Sequence, residues 1–185
     1  KLYRLIVEQP IRTQLGLGIE VLPPAPPQNR NAIFDVILWS LKLRYWAYQH
    51  TPDNIANNDR IRLYVIYHQA QQGQVLAHSL GLQKGLIGII HAFADRDQNS
   101  QNNVVMAHEV LHTVGASDKY DRYNHPVYPD GYAKPEQKPL YPQRYAEIMA
   151  GRIALSKQQT KIPTHLKFTI VGEKTAEEIN WIKSQ

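Results

Sequence analysis

The stretch HEVLHTVGASDKYD, residues 108–121, contains two histidines four positions apart and a glutamate directly after the first. Residues i and i+4 lie on one face of a helix, so His108 and His112 can direct both imidazoles at one point. Glu109 lies beside that point and can take a proton from a water molecule there. Imidazole and carboxylate ligands suit zinc, and the chain has no cysteine. The stretch therefore predicts a helix that carries part of a Zn²⁺ site.

The third ligand is predicted to follow the end of this helix. Gly115 comes three residues after His112, and glycine accepts a positive φ at little steric cost, so the helix can end and the chain can turn back there. Asp118 then comes within reach of the same metal. Asp121 is an alternative ligand or a hydrogen-bond partner of a ligating histidine. A downstream glutamate, such as Glu147 or Glu177, is a further alternative.

These residues carry a resemblance to a known family. The pattern H-E-x-x-H-x-x-G-x-x-D resembles the zinc signature of the metzincin metallopeptidases, in which the last position is histidine or aspartate. The aspartate form resembles the snapalysin-type neutral proteases, and GASDKYD is similar to the G-x-x-D-x-Y-D pattern of immune-inhibitor-A-type bacterial peptidases. The resemblance implies that His108, His112 and Asp118 bind zinc and that Glu109 is the general base.

The resemblance also implies a methionine turn beneath the metal, for which Met149 in EIMAG, residues 147–151, is the candidate. This stretch lacks the tyrosine that some metzincins place two residues after the methionine. Any tyrosine that assists the oxyanion would therefore come from the long irregular loop before it. Its four candidates are Tyr120, Tyr123, Tyr128 and Tyr132.

Hydrophobic patterning predicts strands at residues 2–10, 60–68, 74–82 and 85–94, and helices at 32–49, about 100–115 and 175–185. The expected fold is α+β and metzincin-like: a small mixed twisted sheet with a backing helix (residues 32–49) and the zinc-site helix, then an irregular C-terminal part with the methionine turn and a terminal helix. In metzincins the last strand before the zinc helix is an edge strand that binds substrate by β-augmentation. Residues 85–94 would be that strand.

The chain of 185 residues suits one catalytic domain, 1–185, with a sheet part of about 1–115 and a C-terminal part of about 116–185. Its net charge is +5, but the basic residues are scattered, so no nucleic-acid partner is expected. No apolar run approaches the ~20 residues of a membrane span. The chain begins at Lys1 rather than methionine, which leads us to expect a secreted or periplasmic protein, released from or anchored by a preceding segment. We also expect the protein to be a monomer.

The function that the resemblance implies is that of a zinc-dependent endopeptidase acting on protein or peptide substrates. A metal-activated water would attack the peptide bond, with Glu109 as the general base. The alternative is a metzincin-scaffold protein that binds zinc but is latent or acts as a non-proteolytic binding module.

Overall fold

The computed structural model describes residues 18–29, 32–51, 61–70, 76–83 and 85–182. The described residues fall into two compact units, one within Ile6–Arg60 and the other within Ile61–Gln185. Helices and strands are mixed along the chain, which agrees with the expected α+β class. The predicted strand at residues 2–10 lies outside the described residues. In chain order the elements are α1 (Ile33–Gln49), β1 (Arg62–His68), β2 (Leu80–Leu82), β3 (Ile87–Phe93), α2 (Asn99–Thr113), β4 (Ala146–Glu147), β5 (Ile153–Ala154), β6 (Thr160–Lys161), a 3₁₀ turn (Leu166–Phe168), β7 (Thr169–Ile170) and α3 (Glu173–Glu178).

Helix α1 forms where the apolar spacing predicts it, but a different face is buried. Its buried side chains are Leu43, Trp46 and Ala47. Apolar residues occur on both sides of this helix, so their spacing did not determine which side would be covered. That α1 backs a sheet therefore stays a prediction. The apolar residues whose helical spacing predicts α1 are mostly exposed. More than half of the surface is exposed at Ile33, Ile37, Leu41, Tyr45 and Tyr48.

The three-stranded sheet has the order β1-β3-β2, with β3 parallel to β1 and antiparallel to β2. The prediction that residues 85–94 form the edge strand is therefore wrong, because β3 is the central strand of the described sheet. The isoleucines Ile87, Ile89 and Ile90 of β3 are all buried. Such a continuous apolar run is typical of a strand covered on both faces, but it does not specify the neighbours of that strand. The antiparallel edge position belongs to β2.

Helix α2 carries the histidine motif and ends as the sequence predicts. Gly115 has φ +110°, its N–H donates to the His112 carbonyl, and the N–H of Ala116 donates to the Leu111 carbonyl. These two bonds form a Schellman motif, which satisfies carbonyls at the helix end. Ser100 and Asn102 are of residue types that often cap helices, but the N-cap is Gln98 and it has no side-chain cap bond.

Asn102 connects α2 to the central strand instead. Its side chain donates to the Phe93 carbonyl at 2.9 Å and accepts from the Phe93 N–H at 3.2 Å. Both backbone groups at the end of β3 are thereby paired with one buried amide. This bidentate bond fixes α2 against the end of the strand that precedes it.

Gly81 in β2 allows the sheet to approach α2 closely. A Cβ at this position would lie 2.7 Å from Cβ of His112 and would overlap the carbonyl oxygen of Glu109. Glycine inside a strand often marks such a close backbone approach. The glycine therefore sets the distance between the edge strand and the histidine motif.

The substitution Gly81→Ala is expected to lower the free energy of unfolding by about 1–3 kcal/mol, because the methyl group overpacks the contact with α2. Urea unfolding of the variant and the parent protein measures this difference. Gly18→Ala is the control, since an added Cβ there meets nothing within 4 Å. Equal unfolding midpoints for the two variants would show that β2 and α2 are not packed as described.

The C-terminal part packs a small core against α2. Met149 is fully buried in a cluster with Val104, Ala116, Ile148 and Ile179. Short strand pairs hold this region, with β4 parallel to β7 and β5 antiparallel to β6. Over the described residues, no helix has both the length and the apolar composition needed to cross a membrane.

The terminal helix begins earlier than the sequence predicts. Gly172 is its N-cap, and Thr175, the first residue of the predicted helix, lies inside α3 and is fully buried. The Thr175 hydroxyl donates to the Glu147 carboxylate at 2.8 Å rather than to the first turn of its own helix. The hydroxyl thus binds a residue 28 positions away, whereas an N-cap at Thr175 would form a local capping box with Glu178.

Candidate metal centre

Three potential ligand atoms converge where α2 ends. The Nε2 atoms of His108 and His112 are 3.1 Å apart, and Oδ1 of Asp118 lies 3.2 and 3.1 Å from them. Neighbouring ligand atoms in a tetrahedral zinc site with bonds of roughly 2.0–2.1 Å are about 3.3 Å apart. The spacing and the donor set of two imidazoles and one carboxylate therefore fit Zn²⁺. The Schellman turn at Gly115 brings Asp118 back to the helix face of the histidines.

In each imidazole the hydrogen bond of Nδ1 determines whether Nε2 can act as a metal ligand. Nδ1 of His108 lies 3.0 Å from the Ile148 carbonyl oxygen, and Nδ1 of His112 lies 2.8 Å from that of Ala116. A carbonyl oxygen only accepts, so in the neutral imidazole Nδ1 carries the hydrogen and Nε2 presents a lone pair. Two nitrogen lone pairs and a carboxylate oxygen thus face one another. Only a cation or a proton makes this arrangement favourable.

The ionisation of the cluster reflects this convergence. Burial alone would raise the pKa of Asp118, but hydrogen bonds and charge from His108 and His112 outweigh it and lower the pKa well below its usual range. Burial alone would lower the pKa of His112, but the Asp118 carboxylate and the Ala116 carbonyl raise it. Both shifts favour the charged forms of His112 and Asp118.

Glu109 is a buried carboxylate beside these atoms. Its residue is only 6% exposed, and its Oε2 has no hydrogen-bond partner among the described residues. Burial raises its pKa, although the charges of His108 and His112 oppose that shift. A buried carboxylate oxygen without a donor costs free energy, so this side chain reduces stability and retains the ability to accept a proton.

The residues on each side of Asp118 are tied to the last residue of α3. The Ser117 N–H and hydroxyl donate to the two Glu178 carboxylate oxygens at 2.9 and 2.8 Å. The buried Lys119 ammonium donates to Glu178 at 2.7 Å and to the Ser117 carbonyl at 2.8 Å. The sequence analysis missed this contact, because residues 59 and 61 positions apart leave no local pattern. The contact fixes the loop segment that carries Asp118, the third potential ligand.

Glu178→Gln is expected to reduce the free energy of unfolding by about 1–3 kcal/mol at neutral pH, because it removes the charged partner of the buried Lys119. Burial alone would raise the pKa of Glu178, but bonds from Lys119 and Ser117 lower it. A lowered folded-state pKa stabilises the protein above about pH 4.3, and this contribution is lost as the pH falls further. Urea unfolding at about pH 7 and pH 3 should therefore show a smaller difference between variant and parent at the lower pH.

Glu177→Gln is the matched control for this prediction. Glu177 pairs with the exposed Lys174 one turn earlier in the same helix. Exposed pairs of this kind contribute little to stability. A pH-independent difference in unfolding free energy for Glu178→Gln would contradict the proposed role of its contacts with Ser117 and Lys119. An equal loss of stability in both variants would contradict it as well.

Of the four loop tyrosines, Tyr120 has a ring contact with a potential ligand. Its ring is stacked with that of His108, with centroids 6.4 Å apart and planes at 24°. Tyr123 and Tyr128 are both more than half exposed. The Tyr132 hydroxyl pairs with that of Tyr141 at 2.8 Å, and burial together with Tyr141 raises its pKa to about 12.

The alternative ligands are not brought into the cluster. Asp121 accepts hydrogen bonds from the N–H groups of Tyr123 and His125, so its carboxylate organises the loop. Glu147 is fully buried and bonds to backbone groups, and Glu177 pairs with a lysine. Within the described part of the chain, the group of potential ligands is His108, His112 and Asp118.

A histidine pair in the sheet was also missed. Nε2 of His68 at the end of β1 lies 2.9 Å from Nδ1 of His91 in β3. The sequence showed no partner for either residue, because the two strands are joined by the parallel pairing of distant segments. Burial and the charge of His68 lower the pKa of His91. In its neutral form each imidazole has one donor and one acceptor nitrogen, which suffices for this bond.

Comparisons of the chain with protein-family models, with curated proteins and with solved structures give no match. The resemblance to metzincins thus rests on the motif of residues 108–121 and on the order of elements around it.

Proposed function

We propose that this protein is a zinc-dependent endopeptidase of the metzincin type. His108, His112 and Asp118 would hold Zn²⁺, and Glu109 would be the general base. One observation carries the proposal: three lone pairs converge at zinc-ligand spacing beside a buried carboxylate oxygen that has no partner in the described chain. A purely structural zinc site would not need that carboxylate, since its four ligands come from the protein.

The chemistry follows from the groups around the cluster. Zinc in such a site supplies a Lewis acid that polarises a peptide carbonyl and lowers the pKa of water. Glu109 takes the proton of the attacking water and delivers it to the leaving amine, and its raised pKa suits both transfers. The carbonyls of Ile148 and Ala116 keep both imidazoles oriented through the reaction.

The substrate is proposed to bind along β2 rather than β3. β2 is the antiparallel edge strand of the described sheet, and its Gly81 lies against His112 and Glu109. An extended peptide that adds to this edge would have its backbone next to the cluster. We therefore propose that β2, rather than the predicted strand of residues 85–94, is the strand that binds substrate.

The test is zinc content by elemental analysis together with hydrolysis of an unfolded protein such as casein. About one zinc per chain and hydrolysis that phenanthroline abolishes and added zinc restores would support the proposal. One zinc per chain without hydrolysis of any peptide library would favour the latent or non-proteolytic alternative. Absence of zinc after gentle purification and zinc addition would overturn the metal site.

A further inference from the structure

Glu147 is a fully buried carboxylate with a donor for each of its lone pairs. Its Oε2 accepts from the N–H of Met149 at 2.7 Å and from that of Ala150 at 3.0 Å. Its Oε1 accepts from the N–H of Gly172 at 3.0 Å and from the Thr175 hydroxyl at 2.8 Å. One oxygen therefore holds the turn that follows Glu147, and the other holds the start of α3.

The two turn peptides that Glu147 holds also contact the candidate metal centre. A peptide group is planar, with its N–H and C=O directed to opposite sides. The unit whose N–H belongs to Met149 directs the Ile148 carbonyl at Nδ1 of His108, 3.0 Å away. The next unit, whose N–H belongs to Ala150, directs the Met149 carbonyl at the N–H of Lys119, also 3.0 Å away.

We infer that Glu147 is a positioning residue for the metal centre. Through Oε2 it orients two successive peptide units, of which one holds the ring of His108 and the other holds the residue after Asp118. The inference rests on the proposed zinc site and extends it to a residue that touches neither metal nor substrate. Partners of metal-ligating histidines keep the tautomer and the ring orientation that ligation needs. Glu147 does not contact His108 itself. It fixes the Ile148 carbonyl, which is the partner of the His108 ring.

A carboxylate is suited to this position because it is purely an acceptor. Four donors converge on its two oxygens, and an ionised carboxylate has about four lone-pair sites. In Glu147→Gln one oxygen becomes an NH₂ group, which would face two donors without accepting from them. Either the bonds from Met149 and Ala150 or those from Gly172 and Thr175 must then change.

A role in core stability alone would also explain the burial of Glu147. The variant Thr175→Val distinguishes that role from the positioning of the metal centre. Thr175 is fully buried, and valine has nearly its shape but lacks the hydroxyl that donates to Oε1. The substitution leaves both Oε2 bonds to the turn in place. Its loss of stability should therefore not be accompanied by a loss of zinc affinity.

The experiment measures the zinc Kd by chelator competition, stability by urea unfolding, and the His108 tautomer of the zinc-free protein by NMR of the imidazole nitrogens. We expect Glu147→Gln to raise the zinc Kd roughly 10- to 100-fold and to reduce the Nδ1-protonated form of His108. Thr175→Val should destabilise the fold but keep the Kd within about twofold and the tautomer unchanged. Gly172→Ala is a milder variant, since its Cβ would lie 2.9 Å from Cγ of Glu147 and displace that side chain.

Unchanged zinc Kd and tautomer in both Glu147→Gln and Gly172→Ala, or equal losses of affinity in Glu147→Gln and Thr175→Val, would overturn the inference and leave the proposed function standing. If Glu147→Gln does not fold, Gly172→Ala decides, with a several-fold higher Kd as the supporting result and an unchanged Kd as the opposing one. If the parent binds no zinc but the tautomer of His108 still shifts in Glu147→Gln, the proposed function fails and the positioning of His108 by Glu147 stands.

Discussion

Replacing Glu109 by glutamine is expected to lower kcat for peptide hydrolysis roughly 10²- to 10⁴-fold while zinc content stays near one per chain. Glutamine keeps the shape of the side chain but cannot accept the proton of the attacking water. Stability should stay the same or increase, because the substitution removes a buried carboxylate. Its Oε2 has no partner in the described chain, and burial raises its pKa. Steady-state kinetics, elemental analysis and urea unfolding measure the three quantities.

Glu173→Gln is the control for this prediction, since Glu173 is an exposed glutamate in the first turn of α3. It should leave kcat, zinc content and stability unchanged. Full activity in Glu109→Gln would exclude Glu109 as the general base. Loss of zinc in Glu109→Gln would instead place Glu109 among the ligands and require a different donor set.

If the proposed zinc site is right, replacing Asp118 by alanine is expected to raise the zinc Kd by at least about 100-fold, because it would remove a ligand rather than a partner of one. Two imidazoles on one helix face remain, without a negative charge to hold a divalent cation. In the zinc-free variant the pKa of His112 should fall, since the Asp118 carboxylate is the main group that raises it. Chelator competition measures the Kd, and NMR titration of the imidazoles measures the pKa.

Asp121→Ala is the matched control, an aspartate three residues further along the same loop. Its carboxylate accepts from two backbone N–H groups and lies outside the ligand cluster. We expect this variant to lose loop order but to bind zinc with nearly the parent Kd. A larger loss of zinc in Asp121→Ala than in Asp118→Ala would assign the third ligand to Asp121.

The elements of the candidate site that the sequence predicts correctly are those that local geometry specifies. The spacing of His108 and His112 places both on one helix face, and Gly115 ends the helix with the positive φ that its lack of a Cβ permits. Asp118 then reaches the same point within three further residues. Backbone hydrogen bonds between residues three to five positions apart form the helix and its end, so a short stretch of sequence is enough to predict them. Long-range contacts of Ser117 and Lys119 add to the placement of Asp118.

The tertiary structure alone decided which strand is central, which face of α1 is covered and which distant side chains support the site. The contacts of Glu147 with Gly172, of Glu178 with Ser117 and of His68 with His91 join residues 23 or more positions apart. No sequence periodicity links such residues. The same apolar run can form an edge or a central strand, because burial on both faces does not identify the neighbours. The sequence by itself therefore predicted the cluster of His108, His112 and Asp118 through short-range helix and turn geometry. The contacts that orient those ligands depend on long-range packing, which brings together residues that the chain order keeps apart.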